Sequence, residues 1–280
     1  LTYLPYVAIS MPPLMAIMTA LILAFILGVG LSVSKFNELN VAVDQGKDII
    51  ETLITRLIIP ALPYYIMGVF AQVTAEGQML PVLKTFAVVL GLVITLHLCW
   101  LVMIYMVAGL ITQRNPFAAL KMMFPAYLTA LGTMSSVATI PVTLRQVKRN
   151  RVSEEIADYS IPLCATIHIC GSAITITVCT ITVIYLLTGV LPTLMTLLPF
   201  IFMLGIVMVA APGVPGGAVM ASVALLTSML GFDSNAIALM IALYLAQDSF
   251  GTACNVTADG AVAMILQKTS GQVCDYQPSE

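Results

Sequence analysis

A long stretch without charge limits what this chain can fold into. Not one Asp, Glu, Lys or Arg occurs among the 74 residues at 159–232, and residues 85–113 are equally free of them. These four types make up 9% of the 280 residues, against roughly 25% in soluble domains. Because a bilayer span needs roughly 20 apolar residues, the sequence predicts an all-α polytopic membrane protein. Nucleic-acid binding and soluble enzyme activity are not expected.

The apolar segments predict an order of membrane elements. Spans are expected at about residues 11–32, 57–75 and 81–113, with an amphipathic stretch at 35–56. Two later apolar segments, 116–144 and 191–231, are broken at 133–141 and 210–217 by residues that interrupt helices. Each has room for two half-helices of roughly 12–18 residues, too short for two full spans. Because irregular backbone at membrane depth must be enclosed by protein or a cavity, two re-entrant hairpins are predicted.

Each predicted hairpin is followed by a span with a polar centre, at 161–187 and at 235–266. If the basic run 145–151 is cytoplasmic, counting spans places most other basic residues on the same side. The two units then enter from opposite faces and form an inverted repeat. Paired interrupted segments of this kind indicate the binding site of a transporter. Proline kinks in ordinary helices are the alternative.

Two acids in the last span are the strongest candidates for function. Asp248 and Asp259 lie well inside an apolar run, and an acid at membrane depth needs a partner or a cavity. At about 100° per residue, Thr252 and Asn255 fall on the same stripe, with Gly251 beside it. Carboxylate, amide and hydroxyl oxygens suit Na⁺ or a substrate ammonium. The alternative is a pair of acids near the membrane interfaces with no ligand.

The predicted hairpin tips offer complementary chemistry. Ser135 and Ser136 supply hydroxyls beside one break, and Gly213 and Gly216 expose backbone amides at the other. Because half-helix N-termini attract carboxylates, a ligand with an ammonium for Asp248 and a carboxylate for the tips is an amino acid.

The histidines and cysteines are assigned mainly to the core. His97 is expected to be a hydrogen-bonded core residue, whereas His168 lies in a break and is either a neutral core group or a proton carrier. Five of the six cysteines lie in apolar segments and are expected to be small packing residues, not disulfide partners. Without a nucleotide, haem or zinc signature, no cofactor is expected beyond a coupling ion, Na⁺ or H⁺.

Several motifs, in this order, resemble the dicarboxylate/amino acid:cation symporter family, which has the glutamate-transporter fold. They are SSVATIP at 135–141, PLCATI at 162–167, PGVPGG at 212–217 and the stripe from Asp248 to Asp259. The resemblance covers about residues 14–268. It implies spans four to six, hairpin 1 at 115–150, span seven, hairpin 2 at 190–232 and span eight. It also implies a homotrimer, an elevator mechanism and hairpin 2 as the extracellular gate.

The resemblance divides the chain into scaffold-like helices at 1–78, a transport domain at 79–268 and a polar tail at 269–280. It implies a multi-pass protein of a bacterial-type inner membrane. The family's first three spans have no counterpart in this chain.

The resemblance also implies roles for single residues. Asp248 would bind the substrate amino group, and the hairpins would close over the substrate. The substrate-binding residues so implied are Ser135, Ser136, Ser172, Val214, Asp248, Gly251, Thr252 and Asn255. Asp259 would bind Na⁺ together with the backbone carbonyls of Cys164, His168 and Asn255. The carbonyl of Thr166, with those of hairpin 2, would form a second Na⁺ site.

Two departures from the family pattern bear on the substrate and the coupling ion. Gly251 stands where members with acidic substrates place an arginine, and Cys170 replaces an acidic cation ligand. We therefore expect a symporter of a small, neutral amino acid with a reduced number of Na⁺ sites. Acidic amino acids or C4-dicarboxylates, with H⁺ coupling through His168, are the nearest alternative. A channel and a non-transporting receptor are more distant ones.

Overall fold

The structure is a computed structural model that describes residues 17–33, 37–53, 56–57, 59–75, 77 and 79–271. Within these ranges every regular element is a helix and no strand occurs, which confirms the all-α prediction. The helices are α1 (Ile17–Val33), α2 (Asn37–Leu53), α3 (Ile59–Ala75), α4 (Met79–Thr112), α5 (Pro116–Met122), α6 (Phe124–Thr133), α7 (Ser136–Arg149), α8 (Glu154–Ile167), α9 (Cys170–Thr188), α10 (Leu194–Met208), α11 (Gly217–Leu230), α12 (Ser234–Leu245) and α13 (Asp248–Thr269).

The chain divides into two compact units, residues 1–49 and 50–280. The first contains α1 and most of α2, whose described side chains are largely exposed. The second contains the remaining helices. The domain boundary expected at residue 78 refers to roles in transport and stays a prediction. Residues 11–16 of the first expected span and 272–280 of the expected tail lie outside the described residues.

Length and composition suit parts of the second unit to a membrane. Among the described residues, Val82–Thr112 in α4 and Glu154–Thr188, which covers α8 and α9, are each long and apolar enough to cross a bilayer. The pair α12 and α13 would be a third such segment, bent by 58° at its break. These helices fit an integral membrane protein.

The helices are interrupted at the positions where the sequence predicts helix-breaking residues. Met134 separates α6 from α7 with a left-handed φ of 52°, and Gly216 precedes α11 with a φ of 72°. His168 lies in the gap between α8 and α9. The segment expected as one half-helix before residue 133 forms two helices, because Pro125 has no N–H to continue the hydrogen bonds of α5 into α6. How these segments lie in a membrane stays a prediction.

The helix α13 forms the centre of the second unit and contacts α4, α6, α7, α8 and α9. Small residues along it let these helices approach closely. Gly260 is the tightest such point, since a Cβ there would lie 2.6 Å from Oη of Tyr105. That phenol donates a 2.8 Å hydrogen bond to the carbonyl of Thr257. A buried cluster formed mainly by α4 to α8 and α13 surrounds this contact.

Polar side chains hold the corner between α7 and α8. Ser153 caps α8 by accepting a hydrogen bond from the backbone N–H of Ile156. Lys148, near the end of α7, lies 2.8 Å from Oε1 of Glu154 and 3.0 Å from Oδ1 of Asp158. The hydrogen bond to Glu154 raises the pKa of Lys148. These contacts fix the direction in which α8 enters the core.

Candidate functional site

Four helices begin around one small cavity in the second unit. Their N-terminal residues there include Ser136 of α7, Ser172 of α9, Ala218 of α11 and Asp248 of α13. The cavity measures about 20 Å³, which is roughly the room that one water molecule needs. Its lining consists of Met134, Ser136, Ile169, Ser172, Pro212, Gly213, Val214, Ala218, Tyr244, Asp248, Thr252 and Asn255. Because helix N-termini carry partial positive charge, this arrangement favours anionic groups.

Asp248 is the one carboxylate in this lining, and both of its oxygens accept hydrogen bonds. The backbone N–H of Gly216, at the start of α11, lies 2.7 Å from Oδ2. The phenol of Tyr244 donates to Oδ1, also at 2.7 Å. The side chain of Asp248 is buried, with 3% exposed. A carboxylate has about four acceptor sites, so these two bonds leave capacity for a ligand ammonium.

Asn255 holds the broken span formed by α8 and α9. Ile169, at the N-cap of α9, makes no side-chain capping bond. Instead Oδ1 of Asn255 accepts from the backbone N–H of Gly171 at 2.7 Å and from that of Ser172 at 3.3 Å. Its Nδ2 donates to Oγ of Ser172 at 3.1 Å. The amide therefore caps α9 from another helix, a task that side chains usually perform within their own helix.

A third helix fixes the same break through His97 of α4. Its Nε2 lies 3.0 Å from the carbonyl of Gly171 and 3.1 Å from Oγ1 of Thr175. The histidine is buried and hydrogen-bonded as predicted, although its Nδ1 finds no hydrogen-bond partner among the described residues. A Cβ at Gly171 would lie 2.7 Å from Cβ of Cys254. Only glycine therefore fits where α4, α9 and α13 meet.

The break between α6 and α7 contacts the loop that precedes α11. Oγ of Ser135 accepts from the backbone N–H of Ala138 and so caps α7. The same hydroxyl donates to the carbonyl of Gly213 at 3.0 Å. A Cβ at Gly213 would lie 3.0 Å from the carbonyl oxygen of Ala165 and from Cγ2 of Val137. The loop before α11 is thus held against the start of α7 and the end of α8.

Gly251 lies next to the cavity and not in its lining. A Cβ at this position would lie 3.4 Å from Oγ1 of Thr175 and 3.6 Å from Oγ of Ser172. These are ordinary van der Waals distances, so a first side-chain carbon fits there.

Asp259 pairs with a histidine instead of facing the cavity. Its Oδ1 lies 2.7 Å from Nδ1 of His168, and the carboxylate is 2% exposed. The backbone N–H of His168 donates to the carbonyl of Cys164 at 2.8 Å. Thr166 is exposed, and its hydroxyl donates to the carbonyl of Leu163. Asp259 thus contacts the break between α8 and α9 through the side chain of His168.

Side chains alone supply no metal site in the described part of the chain, where no group of three His, Cys, Asp or Glu could hold an ion. The predicted Na⁺ sites consist mainly of backbone carbonyls, so their roles stay predictions. The described cysteines, Cys99, Cys164, Cys170, Cys179 and Cys254, are free thiols, and Cys274 lies outside the described residues.

Six of the eight expected substrate-binding residues line the cavity, and their roles stay predictions. They are Ser136, Ser172, Val214, Asp248, Thr252 and Asn255. Ser135 and Gly251 lie immediately beside it. Sequence reasoning missed Tyr244, which precedes the polar run by three residues and is 1% exposed. A tyrosine one helical turn before the key acid was the available signal.

The sequence is similar to that of several bacterial transporters. Serine/threonine transporter SstT of Acinetobacter baumannii strain ATCC 17978 is 31% identical over 244 residues, which is 85% of this chain and 60% of that protein. The SstT proteins of strains SDF and AYE are 30% and 31% identical over the same shares. The chain spans about three fifths of the length of these curated relatives.

A family model extends over nearly the whole chain, from the first apolar segment to the end of α13. The Sodium:dicarboxylate symporter family matches residues 2–269, which include every helix that surrounds the cavity. That match assigns the broken helices, the buried acids and the small cavity to a family of transporters and not of enzymes. The chain belongs to the Sodium:dicarboxylate symporter family.

Proposed function

We propose that the protein is a secondary active symporter that couples cation entry to uptake of a small, neutral amino acid. One observation carries this proposal. Among the described residues, the cavity lining has a single carboxylate, Asp248, close to four helix N-termini, and contains no Lys or Arg. A zwitterion matches this balance of charge, with its ammonium on Asp248 and its carboxylate at the helix N-termini.

The same balance distinguishes a neutral from an acidic substrate. In the first turn of α7 the backbone N–H of Ala138 is bonded to Oγ of Ser135. The N–H groups of Ser136, which lines the cavity, and of Val137 have no acceptor within the helix. They suit one carboxylate. A second carboxylate on the substrate would have to lie near Asp248 without a basic side chain to compensate, which is unfavourable at this burial. Acidic amino acids and C4-dicarboxylates are therefore the weaker alternative.

The names of the relatives narrow the substrate class further. Each is a serine/threonine transporter, and this cavity is lined by the hydroxyls of Ser136, Ser172, Tyr244 and Thr252. A hydroxyl on the substrate would find both donors and acceptors there. We propose serine and threonine as the first substrates to test.

Na⁺ is the coupling ion we propose first, because the family is named for sodium symport and Asp259 offers a buried carboxylate. Hard cations prefer carboxylate and carbonyl oxygens. The contact between His168 and Asp259 favours a second candidate, in which H⁺ replaces one Na⁺. The imidazole occupies one of the two oxygens of this carboxylate.

The proposed mechanism requires the cavity to open. An amino acid does not fit in about 20 Å³, so the loop before α11 must move away from Ser135 and Asp248 to admit it. We propose that α6–α7 and α10–α11 are re-entrant hairpins of an inverted repeat and that α10–α11 is the gate. The transport domain at 79–268 would then move as an elevator within a homotrimer, in a multi-pass protein of a bacterial-type inner membrane.

Uptake by proteoliposomes tests this function. Labelled serine should enter saturably, faster with an inward Na⁺ gradient than with an equal K⁺ gradient, and unlabelled serine inside should drive counterflow. A proton gradient imposed without Na⁺ tests the second candidate. Flux that rises linearly with concentration and shows no counterflow would indicate a channel. Absence of saturable uptake of every amino acid and dicarboxylate would overturn the proposal.

A further inference from the structure

One cavity residue has no role in the proposed binding of the amino and carboxylate groups. Tyr244 lies near the end of α12, four residues before Asp248. The chain bends by 58° between α12 and α13, and the phenol of Tyr244 reaches the cavity. Its side chain is 1% exposed. A phenol so deeply buried is expected to have hydrogen-bond partners on both its hydrogen and its oxygen.

The phenol has one donor, and that donor is in use. Its O–H points to Oδ1 of Asp248 at 2.7 Å. Towards any further group the oxygen of Tyr244 can act only as an acceptor, and the hydroxyl of Ser172 lies within hydrogen-bonding reach of it. A ligand bound at Asp248 would therefore meet an acceptor within about one hydrogen-bond length of its ammonium.

Ser172 supplies the complementary group on the other side. Its Oγ neighbours the phenol of Tyr244 and accepts from Nδ2 of Asn255 at 3.1 Å. Without a ligand this hydroxyl can donate to the phenol oxygen, and a hydroxyl inserted between the two would receive its hydrogen instead. Thr175, the other hydroxyl near Gly251, is already engaged, because its Oγ1 donates to the carbonyl of Gly171 at 3.0 Å. Tyr244 and Ser172 thus form an acceptor–donor pair in the lining of the cavity that Asp248 shares.

We infer that Tyr244 is a specificity-determining residue that accepts a hydrogen bond from the side-chain hydroxyl of a hydroxy amino acid bound at Asp248. This inference rests on the function proposed above. The substrate hydroxyl donates to Oη of Tyr244 and accepts from the hydroxyl of Ser172. A methyl group in the same place forms no hydrogen bond with either partner, and a carboxylate brings no donor and adds negative charge beside Asp248. A site built to bind a hydroxyl discriminates against the analogue that lacks it.

Pairs of substrates that differ by one hydroxyl test this inference. We would measure kcat/KM in proteoliposomes for L-serine against L-alanine and for L-threonine against L-2-aminobutyrate. The unsubstituted protein should prefer the hydroxylated member of each pair by about tenfold, the effect of one hydrogen bond. Tyr244→Phe, which removes only the oxygen, should reduce that preference to about twofold or less.

A matched control and three outcomes complete the test. Tyr185→Phe, on an exposed tyrosine of α9, should retain the full preference. Equal losses for serine and alanine in Tyr244→Phe would overturn the inference, because the phenol would then only position Asp248. Equal transport of serine and alanine by the unsubstituted protein would overturn it even if the variant does not reach the membrane. Absence of any amino-acid uptake would instead contradict the proposed function.

Discussion

His168 and Asp259 form a buried pair, with Nδ1 of the histidine 2.7 Å from Oδ1 of the carboxylate. The histidine comes from the break between α8 and α9, and the acid from the middle of α13. An imidazole at this place satisfies a carboxylate that otherwise needs a cation. The pair therefore joins Asp259, the carboxylate proposed to bind the coupling ion, to the break between α8 and α9.

Replacing His168 by Ala should increase the apparent affinity for Na⁺ if Na⁺ binds Asp259. The ion no longer has to displace the imidazole, and one hydrogen bond to a charged group corresponds to about a tenfold change in affinity. Serine uptake measured over a series of Na⁺ concentrations would show this as a lower half-saturating concentration. Uptake lost at every Na⁺ concentration while Asp259 remains would favour H⁺ coupling through the histidine. An unchanged Na⁺ dependence would show that Asp259 is not a Na⁺ ligand.

Replacing Asp248 by Ala should abolish binding of amino acids and could leave binding of a plain dicarboxylate, which has no ammonium. The loss should exceed about a hundredfold, because a buried ammonium without its carboxylate is strongly unfavourable. Competition of labelled serine by unlabelled amino acids and by succinate would measure both effects. Asp44→Asn, at an exposed carboxylate of α2, is the matched control. Equal loss of both substrate classes would contradict the role assigned to the Asp248 carboxylate.

Arginine at position 251 should shift specificity towards acidic substrates. A Cβ fits there at 3.4–3.6 Å from its neighbours, and the guanidinium would add the positive charge that the cavity lining lacks. We expect Gly251→Arg to gain aspartate uptake and to lose serine uptake. Gly251→Ala separates the effect of volume from that of charge. If the arginine variant reaches the membrane and gains no affinity for aspartate, the specificity argument from Gly251 is wrong.

Local sequence patterns predict the helices, their breaks and the buried acids. Proline and glycine change the backbone at their own positions, and a long uncharged segment shows directly which acids lie within it. Such patterns could not predict partners chosen by tertiary packing. Asp248 and Asp259 were placed on one stripe of α13, yet Asp248 faces the cavity and Asp259 faces His168. Asn255 was expected to contact substrate, and the structure also gives it the cap of α9. The partners Gly171 and Asn255 are 84 positions apart, and His168 and Asp259 are 91 positions apart. A repeat of hydrophobic residues within one helix carries no information about such distant partners.

Replacing Gly260 by Ala should destabilise the packing around α13. The added Cβ would lie 2.6 Å from Oη of Tyr105 and 2.9 Å from Sδ of Met123. Both side chains are fully buried, so they cannot move aside without loss, and overpacking of this kind costs about 1–3 kcal/mol. Thermal unfolding in detergent should show a lower Tm. Gly205→Ala is the matched control, because a Cβ there meets nothing within 4 Å and alanine favours a helix. Equal Tm values for the two variants would mean that the close contact between α4 and α13 adds no measurable stability.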